Sequence, residues 1–252
     1  MSSERKARHL DTTLGGSKNR FPLTTMGFLG RLLDSHHPDY QQGLETLCQR
    51  YWKPIYCYLR IAWAKSNEEA KDLTQAFFLW LLENEVLAKF DAARGRFRAY
   101  LKVVLRSFVS HQDQALRSLK RGEGKRIFSL DQEGPGLEEL VPDPRAADPE
   151  KVFDQLWACE LVNRAFSRLR QRLLSAGRET SLRIYEAYTA SGDKATYTDL
   201  AAQFKVTAGQ VDTHLRLVRD ELRREIRREL ADVTSGDADL EAEWRELIGR
   251  EI

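Results

Sequence analysis

The sequence is poor in the residues that build cross-linked or metal-dependent folds. Its 252 residues include three cysteines, Cys48, Cys57 and Cys159, whose odd number and wide spacing disfavour both a disulfide framework and a zinc site. We expect them to be reduced residues of the core. No apolar run is long enough to span a bilayer, and the first residues lack the apolar stretch of a signal peptide. The sequence therefore predicts a cytoplasmic protein without membrane insertion.

Motifs of enzymes and of cofactor-dependent proteins are also missing. The sequence contains no glycine-rich phosphate loop, no His-Glu-x-x-His motif and no cysteine and histidine at the spacing of a catalytic nucleophile. The paired acids Glu68-Glu69 and Glu138-Glu139 fall at a predicted helix start and in a predicted linker, where we expect solvated carboxylates. The sequence thus predicts no enzymatic activity, no cofactor and no metal site.

Prolines are scarce and clustered. Four of the seven lie between residues 128 and 150, together with seven acidic residues and one arginine, a composition that does not support a packed core. Helical patterns lie on both sides, so we predict an all-α protein with two helical domains and an acidic Pro/Gly-rich linker. The predicted segments are a disordered basic arm at 1–23, a first domain at 24–126, the linker at 127–148, a second domain at 149–232 and an acidic extension at 233–252.

The most informative stretch is a predicted helix with two distinct faces. Ser66 and Glu69 form a capping-box pattern at its start, and neither proline nor glycine interrupts it before Asp91. At helical spacing, one side carries the residues expected to face a core: Ala70, Leu73, Phe77 and Leu81. The opposite side mixes leucines with polar groups: Asp72, Gln75, Ala76, Leu79, Leu82 and Glu83. Such a face indicates either a docking surface or a side covered by the helix's own domain.

A basic segment with aromatic residues follows this helix. Residues 91–126 hold ten basic residues against three acidic ones, a local charge of +7 in a chain whose net charge is +2. Cations interleaved with rings are typical of surfaces that hold phosphates and stack unpaired bases. The same spacing also fits a solvated helix with an apolar stripe of Phe97, Tyr100, Leu101, Leu105 and Phe108.

A second motif lies near the end of the second domain. The run from Tyr197 to Arg228 predicts a helix, a tight turn, and a helix capped by Thr207 with Gln210 at its third position. The spacing predicts a small core of Leu200, Ala201, Phe204, Val206, Val211 and Leu215. A helix-turn-helix of this kind would present to the major groove Gln210, Thr213, His214 and Arg216.

In their order, these motifs resemble the bacterial sigma factors of the sigma-70 family, of the extracytoplasmic-function type. The segments EEAKDLTQAFFLWLLE and GRFRAYLKVVLRSF are similar to conserved region 2, the helix-turn-helix is similar to region 4, and the resemblance covers about residues 44–230. It implies binding to the clamp helices of core RNA polymerase through Asp72, Gln75, Leu79 and Leu82. It implies capture of the opening −10 promoter element by Arg94, Arg96, Phe97, Arg98, Tyr100, Lys102 and Arg106. It implies that region 4 docks on the polymerase flap and binds the −35 element through Thr207, Gln210, Thr213, His214, Arg216 and Arg219.

Three positions depart from the family pattern. Ala76 stands where the family often has an acidic residue, and Asp212 and His214 stand where it usually has basic ones. With seven basic and six acidic residues between 196 and 230, this half alone should bind DNA weakly. The residues also fit a stand-alone helix-turn-helix regulator whose helical N-terminal domain binds a ligand or partner, or an RNA-binding or scaffolding protein.

The C-terminal extension is acidic and amphipathic. Seven acidic residues follow position 230 against two arginines, while Leu240, Trp244, Leu247 and Ile248 share one helical face. One hypothesis is that this helix docks back on the protein and hinders DNA or polymerase binding until it is released. The other is that it packs on the helix before it, at residues 215–230. The resemblance also allows an anti-sigma factor or another inhibitory partner.

Overall fold

Helices make up the architecture of the part of the chain that the structure describes. This computed structural model describes residues 27–118, 148–192 and 194–248, and these residues contain no strand. The helices are α1 (Gly27–Leu33), α2 (Tyr40–Ala62), α3 (Asn67–Glu83), α4 (Phe97–Ser118), α5 (Pro149–Ser175), α6 (Glu179–Ala190), α7 (Tyr197–Phe204), α8 (Ala208–Ala231) and α9 (Asp237–Ile248). Two short 3₁₀ turns, Leu87–Lys89 and Ala92–Arg94, join α3 to α4. The all-α prediction is confirmed, whereas the predicted arm and nearly all of the predicted linker lie outside the described residues.

Local sequence signals set the starts of three helices. Ser66 caps α3 in a full capping box with Glu69, and Thr207 caps α8 in the same way with Gln210. Asp148 caps α5, and proline fills the first helical position. Each cap satisfies backbone N–H groups that have no partner within the helix, so these starts are encoded within four residues of sequence.

One hydrophobic core joins helices on both sides of the predicted linker. Tyr51 of α2 is fully buried, with its ring centroid 5.9 Å from that of Phe97 in α4 and 6.5 Å from that of Phe153 in α5. Trp157 of α5 and Leu222 of α8 belong to the same buried cluster. Helices that precede and follow the predicted linker therefore share this core, and the division into two domains stays a prediction.

A charged cluster also ties α8 to α2 and α5. The Glu229 carboxylate of α8 is fully buried and lies 3.4 Å from Arg50 of α2, 3.3 Å from Arg164 and 2.7 Å from Arg168 of α5. Arg50 also binds Asp232 at 2.9 Å. A buried carboxylate is costly without such partners, and removing one partner from a cluster of this kind costs about 3–5 kcal/mol. The cluster thus constrains how α8 packs on α2 and α5.

The predicted helix, turn and helix near the C-terminal end are present. At the turn, Lys205 adopts a left-handed conformation with φ 55° and ψ 44°. Beneath the turn lies a separate small core, which is formed by the buried residues Ile184, Leu200, Val211 and Leu215. Three residues expected in that core lie half-buried against it: Ala201, Phe204 and Val206. The N-terminal end of α8 is left at the surface.

The three cysteines differ in exposure. Cys57 is buried and Cys48 half-buried, but Cys159 is exposed, so the expected core position is wrong for Cys159. Burial raises the pKa of Cys48 to about 11 and that of Cys57 to about 12, which disfavours the reactive thiolate. Within the described ranges, no group of three His, Cys, Asp or Glu side chains is arranged to hold a metal ion, and no helix combines the length and apolarity needed to cross a membrane.

Candidate functional site

The inner side of α3 packs into the core. Ala70, Phe77 and Leu81 are buried, as the helical spacing predicts. Leu73, expected beside them, is half-buried, and Thr74 is buried in addition. The Thr74 hydroxyl donates to the carbonyl oxygen of Ala70 at 2.7 Å, so this polar group is satisfied within the helix. The buried side is therefore slightly rotated from the predicted one.

The outer side of α3, predicted to bind polymerase, lies at the surface. Asp72 is exposed, and Gln75 and Leu79 are half-buried. Leu82 is half-buried as well and packs against the edge of the core. We call these four residues the α3 face. A carboxylate, an amide and two leucines on one helix side offer both hydrogen bonds and apolar area to a partner.

A cavity lies where the 3₁₀ turns meet α4. Its volume is about 300 Å³. Gly95 forms part of its wall with φ 141°, a backbone conformation that other residues rarely adopt. Two rings and three cations contribute to the lining: Phe90, Tyr100, Lys89, Arg94 and Arg96. The Tyr100 hydroxyl donates to the Val86 carbonyl oxygen at 2.6 Å, which fixes the ring. Rings beside cations suit a planar base with its phosphate.

Phe97 lies behind this cavity and not in its wall. Its ring is fully buried, with its centroid 5.3 Å from that of Phe90, a residue that the sequence analysis did not single out. The structure thus corrects the expectation that Phe97 contacts DNA, because the ring is enclosed by core residues and supports Phe90 from behind. The alternative of an apolar stripe on α4 is confirmed for Phe97, Leu101, Leu105 and Phe108, all of which are fully buried.

Arg98 is the most enclosed of the predicted −10 cations. Its guanidinium lies 2.7 Å from Asp154 of α5, 2.7 Å from Glu243 of α9 and 2.8 Å from Glu246 of α9. It also lies over the Trp157 ring, 4.4 Å from the centroid. Burial tends to lower the pKa of Arg98, but the three carboxylates outweigh it and raise that pKa. With its side chain only 6% exposed, Arg98 offers almost no surface to a partner, so its expected DNA contact is absent in this conformation.

The neighbouring cations are paired with acidic residues from the same two helices. Their nitrogen–oxygen distances are 2.7 Å for Arg96 with Glu246, 3.0 Å for Lys102 with Asp154 and 3.0 Å for Arg106 with Glu150. Arg94 differs, because it is 88% exposed and pairs locally with Asp91 at 3.3 Å. Of the cations in this segment whose side chains the structure describes, all but Arg94 are therefore paired with α5 or α9.

The two α9 glutamates carry opposite pKa shifts. Burial raises the pKa of Glu243, and Arg98 offsets only part of that effect. Burial also acts to raise the pKa of Glu246, but hydrogen bonds and charges from Arg96 and Arg98 prevail and lower it to about 2. The two carboxylates share the same guanidinium groups, but their pKa shifts differ in sign. Glu246 is therefore the one that stays ionised well into the acidic range.

The predicted −35 contacts on α8 fall into two groups. Four are exposed at or after the start of the helix: Thr207, Gln210, Thr213 and Arg216. The other two are half-buried and engaged with α6. His214 Nδ1 lies 2.8 Å from the Ser181 hydroxyl, and the Arg219 guanidinium lies 5.2 Å from the centroid of the Tyr188 ring. His214 and Arg219 therefore contact α6, and their expected role at the −35 element stays a prediction.

Comparison with known proteins identifies no relative of the chain. No protein-family model matches it, and neither a curated protein nor a solved structure matches it. The resemblance to sigma factors therefore stays a prediction from the sequence motifs.

Proposed function

We propose that this chain is a sigma factor of the extracytoplasmic-function type, which binds core RNA polymerase, directs it to promoters and assists DNA opening. The observation that carries the proposal is the α3 face. Its four residues are those that the sequence resemblance selects for polymerase binding, and they lie at the surface of a helix whose other side is buried. A helix buried on both sides would have removed this support.

The α3 face has the chemistry of a helix-docking surface. Asp72 and Gln75 hydrogen-bond to polar groups of the polymerase clamp helices, and Leu79 and Leu82 bury apolar area beside them. Such interfaces depend on a few central residues, each of which weakens binding strongly when it is replaced. The face supplies affinity, and the DNA-binding parts supply promoter specificity.

The cavity between the 3₁₀ turns and α4 is the part of the chain that assists promoter opening in this proposal. Unstacking a base step costs a few kcal/mol, and stacking on an aromatic ring recovers about 1–3 kcal/mol per base. Phe90 and Tyr100 provide rings, and Arg94 and Arg96 provide phosphate contacts at the same cavity. The exposed start of α8 binds the −35 element as duplex, aided by the local concentration that attachment to polymerase creates.

The first test is capture of core RNA polymerase by the tagged chain. Asp72→Lys introduces the opposite charge on the α3 face, and we expect binding to weaken about 30-fold or more, as for a central interface residue. Glu45→Lys makes the same charge change at an exposed position of α2 and should bind like the parent chain. Equal capture of Asp72→Lys and Glu45→Lys would refute the interface.

The second test is transcription from a promoter library by the reconstituted holoenzyme. The chain should confer initiation at a defined set of promoters, and Arg94→Ala combined with Tyr100→Ala should slow opening while leaving the closed complex intact. Permanganate reactivity of unpaired thymines reports the opening step. Tight duplex binding without polymerase, and no effect on transcription by polymerase, would instead favour the stand-alone regulator.

A further inference from the structure

Helix α9 lies against the basic segment of α4. Glu243 is 2% exposed, and its carboxylate lies 2.7 Å from Arg98 and 3.3 Å from Arg96. Glu246 binds the same two arginines at 2.8 Å and 2.7 Å. Arg96 also lines the cavity beside the 3₁₀ turns, so α9 reaches the edge of that cavity. One short helix therefore engages two of the cations that the proposed function assigns to DNA.

The contacts of α9 are those that a nucleic acid would make. A carboxylate and a phosphate both accept paired hydrogen bonds from a guanidinium, and both carry the charge that Arg96 and Arg98 need. A guanidinium already bound to two carboxylates has few N–H groups left for phosphate. The phosphate backbone and α9 thus compete for the same donors.

Helix α9 also contributes fewer buried apolar side chains to the core than its neighbour α5. Several large side chains of α5 are buried: Phe153, Trp157, Leu161 and Leu169. In α9, Leu247 is buried, while Leu240 and Trp244 are only half-buried. Its link to α8 is at the surface, through Arg227, which pairs with Glu241 and lies 5.0 Å from the centroid of the Trp244 ring. Of the two helices whose carboxylates bind these cations, α9 is the one that can leave with less loss of core.

We propose that α9 is an intramolecular competitor of single-stranded nucleic acid: docked, it occupies Arg96 and Arg98, and its release frees the donors of these two arginines that bind Glu243 and Glu246. The proposal rests on the assignment of the basic segment to promoter DNA. It gives the acidic extension a regulatory role and predicts that the free chain binds DNA less tightly than its basic segment allows. Single-stranded DNA then shifts the balance by binding only the released form.

The test measures binding of fluorescein-labelled oligothymidylate by fluorescence anisotropy. In the full chain, Glu246→Gln should tighten binding about fivefold, the lower end of common coupling strengths. Asp237→Asn removes one charge from an exposed position of the same helix and controls for net charge. In a chain that already carries Arg96→Gln, the gain from Glu246→Gln should shrink, because one of the released donors is gone. Equal gains for Glu246→Gln and Asp237→Asn, or an undiminished gain without Arg96, would overturn the proposal.

A second measurement needs no substitution in α9. Hydrogen exchange of the unmodified chain should show faster amide exchange in residues 237–248 when oligothymidylate is added, because bound DNA and docked α9 exclude each other. Unchanged protection of α9 in the DNA complex would refute the competition.

Polymerase capture separates this proposal from the proposed function. Glu246→Gln leaves the α3 face intact, so the variant should capture core polymerase like the parent chain. If polymerase is captured but oligothymidylate binding does not respond to Glu246→Gln, the competition is wrong and the sigma function stands. If oligothymidylate binding responds but neither chain captures polymerase, the sigma function is wrong.

Discussion

The α3 face and the basic segment of α4 adjoin in sequence but differ in what covers them. Both are predicted binding surfaces of the first domain. On α3, Asp72 is exposed and Leu79 half-buried, so the surface is available to a partner. On α4, Arg98 is 6% exposed and enclosed by carboxylates of two later helices. The difference teaches that a sequence pattern identifies groups able to bind a partner, whereas availability depends on what the rest of the chain places against them.

Charge complementarity explains why the two surfaces differ. The basic segment attracts the acidic residues of α5 and α9, which meet its cations at distances of 2.7 to 3.0 Å. The α3 face combines one carboxylate with an amide and leucines, and so attracts no single class of group strongly. A mixed face stays open for a specific partner, and a strongly charged one is easily neutralised within the chain.

The largest expected effect contrasts Arg98 with Arg94. Arg98→Ala leaves the nearly buried carboxylates of Asp154 and Glu243 without their main partner, so we expect a loss of about 3–5 kcal/mol in the free energy of unfolding. Arg94→Ala, at an 88% exposed position, should change that free energy by about 0.5 kcal/mol or less. Urea denaturation followed by circular dichroism gives both values. Similar midpoints for the two variants would remove the contrast between covered and open cations.

Much of the fold could be read from local sequence signals. The starts of α3, α5 and α8 follow from Ser66, Asp148 and Thr207, whose capping acts over three residues or fewer. The two sides of α3 follow from helical periodicity, with a small error at Leu73. These signals depend only on residues close together in sequence, so they can be read without knowledge of the tertiary packing.

The state of the basic segment could not be read in this way. Arg98 and Glu243 are 145 residues apart, and local charge counts carry no information about such pairs. His214 shows the same limit, because helical spacing put it on the outer side of α8 while Ser181 of α6 binds its ring. Side chains that the sequence assigns to a partner are, in both cases, engaged by the chain itself.

A smaller effect is expected for Tyr100, whose hydroxyl and ring have different roles at the cavity. A substitution that removes only the hydroxyl distinguishes a contribution to folding from a contribution to binding. Tyr100→Phe removes the hydroxyl that donates to the Val86 carbonyl oxygen but keeps the ring, so we expect a loss of about 1 kcal/mol in the free energy of unfolding. Because a base stacks on the ring and not on the hydroxyl, oligothymidylate affinity should stay within about twofold of the parent chain. Denaturation and anisotropy on the same preparation measure both. A large loss of affinity with unchanged stability would mean that the hydroxyl itself contacts the nucleic acid.

On the α3 face, we expect a substitution to weaken polymerase binding strongly while changing the free energy of unfolding only slightly. Leu79→Ser replaces a half-buried leucine of the α3 face, and the free energy of unfolding should fall by only about 0.5–1 kcal/mol. Capture of core polymerase should nevertheless drop clearly, since the apolar contact with the partner is lost. Thermal unfolding and polymerase capture test the two parts. A stability loss as large as that of Arg98→Ala would show that α3 is covered by its own chain.

The smallest expected effect is the pH dependence of α9 docking. The folded-state pKa of Glu246, about 2, lies below the ordinary 4.5, so its contribution is fully present above about pH 4.5 and is lost as the pH falls towards 2. Glu243 has the opposite sign, because its raised pKa means that protonation relieves a burial cost as the pH falls. Above about pH 4.5 the parent chain and Glu246→Gln should therefore respond to pH alike, because the Glu246 contribution is constant there. Between pH 4.5 and pH 2 the parent chain should lose docking as Glu246 becomes protonated, whereas Glu246→Gln has no such loss. Trp244 fluorescence, obtained by subtracting the signal of matched Trp244→Phe proteins, reports docking. Parallel curves for the parent chain and Glu246→Gln between pH 4.5 and pH 2 would mean that Glu246 does not hold α9 in place, and that Glu243 alone connects α9 to Arg96 and Arg98.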